Sequence, residues 1–266
     1  MMPLPAVLPP RLVGPATHAM TTLLPVPGLG VLPVNAFLIR AAEPVLIDAG
    51  VAALADLAFE QLVSLIEPDD LRWIWLTHTD QDHIGCVSRL LQQAPKARIV
   101  TTYLGMGKLG LSMPVPPERV YLLNPGQGLD VGDRALQALR PPSFDAPETT
   151  AVFDPKTRTL FSADCFGAIL DSTFESAQQI DRAELSAGLG IWGQVDAPWL
   201  SWISDAAFER SVQELRHLKP ERVLSSHLPP AESMLNPLIE MLDETRRAAP
   251  FVGPDQQALI AMMTAA

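Results

Sequence analysis

The sequence predicts an α/β (α+β) fold: two mixed sheets packed face to face with helices outside. Three observations predict it. Short apolar runs bounded by Gly, Pro or Asp alternate with stretches of helical period, the middle of the chain carries clear hairpins, and neither an internal repeat nor a flexible linker divides its 266 residues.

In chain order, residues 1–33 are rich in Pro and Gly and read as an irregular N-terminal arm, with residues 34–266 forming one domain. Asn35–Ile39 and Pro44–Asp48 read as strands, the second ended by Ala49-Gly50. Residues 52–66 carry Leu54, Leu57, Ala58, Leu62 and Leu65 at helical spacing before Pro68. Leu71–Leu76 is an apolar strand that runs directly into Thr77-His78-Thr79-Asp80-Gln81-Asp82-His83. A helix over about 84–93 ends at Pro95, a strand covers Arg98–Thr102, and residues 103–111 are helical. Arg119–Leu123 is a short strand, and 129–139 a hairpin around Gly132-Asp133. Thr149–Phe153 and Thr159–Ser162 pair across Asp154–Thr157, the second strand delivering Ala163-Asp164. A helix at 205–218, a strand at Arg222–Ser226 ending on His227, and a helix over about 230–247 complete the order.

Composition narrows the function. Thirty acidic against 19 basic side chains leave a formal charge of −11. This balance opposes a phosphate-backbone partner and adhesion to anionic membranes, so neither nucleic acid nor membrane is expected. The charge-free stretch Leu12–Ile39 is interrupted by Pro15, Pro25, Pro27 and Pro33 and does not read as a membrane span. Two cysteines, Cys86 and Cys165, make neither a disulfide framework nor a cysteine zinc site and favour a reducing, cytoplasmic home.

The chemistry concentrates after the strand at Leu71–Leu76. His78, Asp80, Asp82 and His83 fall within six residues, although the chain has only five histidines. Imidazole nitrogens and carboxylate oxygens splayed from a strand end suit Zn, Fe or Mn. The alternative is a solvated polar loop. His217, at a helix end, and His18, in the arm, read as structural. Trp192, Trp199 and Trp202 with Leu200 and Ile203 form an apolar patch that is core, lid or interface.

His78-x-Asp80-x-Asp82-His83 resembles the H-x-H-x-D-H signature of the metallo-β-lactamase fold superfamily. The middle carboxylate resembles its flavodiiron branch, where the motif is H-x-E-x-D-H. Asn35–Ile39 and Leu46–Gly50 are similar to that branch's opening hairpin, and Pro155–Gly167 to the segment carrying its bridging aspartate. The resemblance spans roughly residues 34–230. It implies a four-layer αββα sandwich with two metal ions, Fe ahead of Mn or Zn.

The resemblance implies His78, Asp80 and Asp145 at the first metal, Asp164 as bridge, and Asp82, His83 and His227 at the second. Asp48 would support the loop. Asp145 stands where the family has a His, with 18 residues between it and Asp164. It competes with a plain turn residue at that position, with Glu148 or water as the ligand, and with an empty first site. Asp80 is one methylene shorter than Glu. Four carboxylates and three histidines favour a harder ion than zinc.

The resemblance implies an oxidoreductase that binds or reduces O2 or NO, fed by a separate electron-donor protein and assembled as a homodimer. The chain has no room for a flavodoxin-like domain, and Gly28-Leu-Gly30 is too weak for a phosphate loop, so no flavin is expected in it. Two other readings stand beside this one. One is a metallo-hydrolase of a small ester, thioester or phosphoester substrate. The other is a non-catalytic metal-binding sensor.

Overall fold

The computed structural model describes residues 4–265. Strand alternation sets its layers. The first sheet takes β1 (Ala6–Val7), β2 (Arg11–Gly14), β3 (Thr17–Val26), β4 (Gly30–Ile39), β5 (Val45–Ile47), β6 (Trp73–Trp75), β7 (Arg98–Thr101) and β8 (Val120–Leu122). Its order is β1-β3-β4-β5-β6-β7-β8, with β2 on β3. The second sheet takes β9 (Gly128–Asp130), β10 (Ala135–Leu139), β11 (Ala151–Asp154), β12 (Thr159–Phe161), β13 (Arg222–Leu224) and β14 (Ala231–Glu232), in the order β14-β13-β12-β11-β10-β9.

Helices cover both outer faces. α1 (Ala55–Val63), α2 (Val87–Gln93) and α3 (Tyr103–Ser112) belong to the first sheet's side. α4 (Arg182–Asp196), α5 (Asp205–Leu218) and α6 (Leu235–Arg247) belong to the second's, and α7 (Gln256–Ala265) ends the described chain.

Period-two alternation divides the apolar side chains among three cores. Phe37, Ile39, Val45, Ile47, Trp75 and Val100 of the first sheet meet Leu136, Val152, Phe161 and Leu224 of the second in the central core. Their neighbours Leu38, Leu46, Ile74 and Ile99 face outward onto Phe59, Leu62, Val87 and Leu90 of the helices. On the other side Phe153, Leu160 and Val223 pack under Leu189, Phe208, Val212, Leu238 and Leu242. The result is the αββα sandwich.

The N-terminal segment corrects the sequence reading. Residues 17–26 and 30–33 are not irregular: the strand expected at Asn35–Ile39 starts earlier, at Gly30, and pairs with a strand at Thr17–Val26. The two strands form a ten-residue antiparallel ladder from Thr17↔Ile39 to Val26↔Gly30. The prolines argued against strand, yet Pro25 and Pro33 lie in the half of the hairpin nearest its turn. That half ends in a bridge between Val31 and Leu170. Gly28 and Gly30, both at positive φ, make this turn, and a Cβ on Gly30 would meet the Leu170 carbonyl oxygen at 2.3 Å. Two smaller differences concern helices. The helix expected from 230 begins at Leu235 because β14 comes first, and α4 was hidden by its Gly-rich, weakly patterned sequence.

Strand polarity explains where function collects. β5, β6, β7 and β8 run parallel, as do β12 and β13. β10 is antiparallel to β11, and β11 to β12, so β10 and β12 share a direction. The segments after β5, β6, β10, β12 and β13 therefore leave the sheets at strand C-terminal ends. Cross-sheet hydrogen bonds draw these ends together: Thr150 N–H donates to Thr77 O at 2.8 Å, and Asn35 N–H to Ser226 O at 2.8 Å. No helix among the described residues is long and apolar enough to cross a membrane.

Candidate metal centre

All seven side chains singled out as metal ligands converge at this edge. Their potential ligand atoms form overlapping groups within 4.8 Å: His78, Asp80 and Asp145; His78, His83 and Asp164; Asp82, His83 and His227. Asp164 sits at the centre. Its Oδ1 is 3.1 Å from His83 Nε2 and 3.2 Å from His227 Nε2, while Oδ2 is 3.5 Å from His78 Nε2. The two oxygens thus face opposite halves of the cluster. Asp82 Oδ2 closes one half, 3.6 Å from His83 Nε2 and 3.5 Å from His227 Nε2.

Each imidazole is fixed through its Nδ1. His83 Nδ1 is 2.9 Å from Asp48 Oδ2, His227 Nδ1 is 2.8 Å from Pro33 O, and His78 Nδ1 is 3.1 Å from Thr77 Oγ1. The Pro33 carbonyl only accepts, so His227 Nδ1 carries a proton and Nε2 turns its lone pair to the cluster. Asp48 also accepts from Thr77 N–H at 2.8 Å and from Thr77 Oγ1 at 2.9 Å, which ties the β5 end to the loop after β6.

The donor set fits a pair of cations. His78, His83 and His227 are essentially fully buried, at 1%, 1% and 0% exposure. Yet the Nε2 atom of each, and Asp164 Oδ1, lack a hydrogen-bond partner. Buried polar atoms left this way are costly unless something fills the space between them. Ligand atoms at about 2.0–2.2 Å from a tetrahedral ion lie about 3.3–3.6 Å apart, close to the spacings around Asp82, His83, Asp164 and His227.

Charge in the cluster is mutually supporting. Burial opposes ionisation of Asp164, but the imidazoles of His78, His83 and His227 hold its carboxyl well below the usual range. Burial likewise opposes protonation of His83 and His227, and Asp164 nevertheless raises both.

Two expectations resolve differently. Glu148, the rival to Asp145, is outside the cluster: its carboxylate is bound by Lys108 Nζ of α3 and by Thr79 Oγ1 at 3.0 Å. The tryptophan patch divides. Leu200 is core and Trp202 is 84% exposed. Trp199 Nε1 donates to Phe144 O at 2.8 Å, while Trp192 Nε1 donates to Asp164 O at 3.1 Å with its ring centroid 4.5 Å from that of His227. Trp192 therefore walls the centre. Gly167 permits this approach, since a Cβ there would lie 2.5 Å from Trp192 Nε1.

Sequence reasoning missed Asp196, the last residue of α4. Its carboxylate groups with those of Asp145 and Asp164 within 4.8 Å. Burial, with Asp164 and Asp145 beside it, pushes its carboxyl up to about 8. One signal was available: Asp196 is the only charged residue between Glu184 and Asp205.

An αββα sandwich with histidines and carboxylates gathered at one sheet edge defines a metallo-β-lactamase-like protein. The family model described as ODP family beta lactamase matches residues 32–227, and the chain belongs to that family. Among curated relatives, a putative diflavin flavoprotein A 1 of Thermosynechococcus vestitus is 34% identical over 149 residues, 55% of this chain and 26% of its own length. A protein of Methanocaldococcus jannaschii is 26% identical over 214 residues, 79% of this chain and 52% of its own. The chain thus spans about half or less of the length of these relatives.

Solved structures agree on the fold. The flavodiiron protein of Giardia intestinalis superposes with TM-score 0.78 at 16% identity, covering 90% of this chain and 60% of that one. Rubredoxin oxygen:oxidoreductase of Desulfovibrio gigas gives 0.78 at 16%, covering 91% and 62%. The likeness is one of fold: the chain has the fold of the core these flavodiiron structures share.

Proposed function

We propose that the chain holds two iron ions and is an oxidoreductase that acts on O2 or NO with electrons from a separate protein. One observation carries the reading: Asp80 stands in the cluster with His78 and Asp145, so the first position offers two carboxylates and one imidazole. An oxygen-rich donor set suits iron or manganese better than a nitrogen-rich one. His78, Asp80 and Asp145 would hold the first ion, Asp82, His83 and His227 the second, and Asp164 both.

Two ferrous ions there would supply two electrons to a bound diatomic molecule. The chain's own residues do the rest. Asp48, Thr77 and Pro33 fix the imidazole orientations. Trp192 and the buried faces of His78 and His227 keep bulk water from one side of the centre. Asp80, Asp82, Asp145 and Asp164 together would carry the negative charge that offsets two divalent ions.

The test is anaerobic loading with Fe(II), reduction, and exposure to O2 or NO in an electrode chamber. Uptake of either gas, with a diferric absorption band after oxygen, is the expected result. Two bound irons without gas uptake, together with turnover of ester or phosphodiester substrates by the zinc-loaded protein, would replace this reading by hydrolysis.

A further inference from the structure

The candidate centre has one carboxyl group more than its expected ligand set, and it comes from α4. Asp196 and Trp192 are four residues apart on one face of that helix. Both are directed at Asp164: Trp192 through its Nε1 bond to the main-chain oxygen, Asp196 through its carboxylate, within 4.8 Å of those of Asp164 and Asp145. Asp196 Oδ2 is buried without a hydrogen-bond partner. His78 Nε2, 3.5 Å from Asp164 Oδ2, is likewise without a partner, on a side chain 1% exposed. Asp145, Asp164 and Asp196 group their carboxylates, His78 groups with Asp145 and with Asp164, and among the described residues no Lys or Arg makes an ion pair with any of the three carboxylates; only the imidazoles around Asp164 do.

We infer that Asp196 is an additional ligand of the first metal position, working with Asp145 in place of a single neutral imidazole. The inference rests on the two-ion reading above. With Asp80, Asp82, Asp145 and Asp164, it brings the carboxylates around the pair to five, one more negative charge than two divalent ions neutralise. Such a position is oxygen-rich and anionic, and it is selective for a hard cation of high charge density. It also makes α4 part of the centre and not merely its wall: the helix that places Trp192 over His227 delivers the extra oxygen from its last turn.

The experiment is Mn(II) titration of the metal-free full chain, followed by calorimetry and by electron paramagnetic resonance, for wild type, Asp196→Asn and Asp196→Ala. Asn conserves shape and serves as the folding control, checked by a metal-free melt at or above the wild-type temperature. The expected result is two Mn(II) per wild-type chain with an exchange-coupled spectrum. In both variants one affinity falls at least tenfold, the other is retained, and at limiting metal the spectrum becomes that of an isolated Mn(II). Two ions bound by Asp196→Asn with wild-type affinities and coupling would overturn the role of Asp196 while leaving the dinuclear reading intact. Failure of the wild type to bind a second Mn(II) would overturn both.

Discussion

Asp48 Oδ2 lies 2.9 Å from His83 Nδ1, and the same carboxylate takes the N–H and hydroxyl of Thr77. One buried side chain thus joins the end of β5 to both ends of the segment carrying His78, Asp80, Asp82 and His83. Its backbone is left-handed, φ 58°, a conformation few non-glycine residues adopt, and Asp is among the more tolerant. A carboxylate behind an imidazole fixes the ring and makes its other nitrogen a better donor.

Asp48→Asn should therefore weaken metal binding without touching a proposed ligand. The amide offers one acceptor where the carboxylate offers two, and cannot serve Thr77 and His83 as before. The expected loss is about 10–100-fold in affinity, read by competition with a chelator of known strength. The change should concentrate at the position held by Asp82, His83 and His227. Unaltered affinity at both positions would show that the Asp48–His83 contact does not tune the centre.

Much of this was legible because one segment carries its own context. An apolar strand running into two histidines and two aspartates needs only the strand-end geometry to become a site. Asp145, Asp164 and His227 are scattered by sequence, and no spacing rule unites them; resemblance supplied them, and strand polarity now explains why they meet. The stretch from 17 to 33 of the β3–β4 hairpin is masked in sequence by its prolines, which outweigh its apolar alternation, although it supplies the Pro33 oxygen behind His227. Asp196 lay beyond local reasoning, since α4 has a weak helical pattern and its last residue meets the centre only through tertiary packing.

Lys108 and Glu148 give a prediction about stability. Glu148 is buried and bound by Lys108 from α3 and by Thr79, one residue from His78. Burial opposes its ionisation, but the Lys108 ammonium holds the carboxyl below its ordinary range of about 4.5. A depressed acid stabilises the fold above its unfolded pKa and loses that contribution as pH falls through the folded value. Lys108→Met should cost about 1–3 kcal/mol at pH 7, the lower part of the range reflecting the half-exposed lysine. The penalty should shrink below pH 4. Chemical denaturation at pH 7 and at about pH 3 measures both, and equal penalties at the two pH values would contradict the ion pair. Metal content should stay at the wild-type level, because Glu148 is bound by Lys108 and Thr79 and belongs to none of the ligand groups.

The two cysteines give a prediction with the opposite sign. Cys86 and Cys165 are 2% and 0% exposed, and burial pushes both thiols up to about 12. Folded protein at pH 8 should resist iodoacetamide at both positions, with labelling appearing only on unfolding. A raised pKa stabilises the folded state fully below the unfolded value near 8.5 and is lost as pH rises toward the folded value. Stability should then decline above pH 9 by about 1 kcal/mol per pH unit for each thiol. Cys86→Ala/Cys165→Ala should melt lower at pH 7, yet show a flatter alkaline limb. Rapid labelling of the native chain at pH 8 would be inconsistent with the packing described.

Two glycines of α4 separate the helix's packing from its propensity. At Gly188 the helix backbone lies so close to residue 169 that a Cβ would stand 2.2 Å from the Ile169 carbonyl oxygen. That neighbour is main chain, and Ile169 N–H also donates to Gly188 O, so neither partner can step aside without breaking the contact. At Gly190, half a turn on, a Cβ would meet nothing nearer than Thr245 Oγ1 at 4.0 Å. Gly190→Ala should accordingly raise stability by about 0.5–1 kcal/mol through helix propensity alone. Gly188→Ala should lower it by about 1–3 kcal/mol. The consequence reaches the centre, because moving the helix off residue 169 moves Trp192 from His227 and Asp196 from Asp164. Gly188→Ala should therefore lose Trp192 fluorescence sensitivity to added Mn(II) along with stability, whereas Gly190→Ala keeps it. Equal behaviour of the two variants in melting and in metal-dependent fluorescence would mean that α4 is not held against residue 169 in the way that positions the centre.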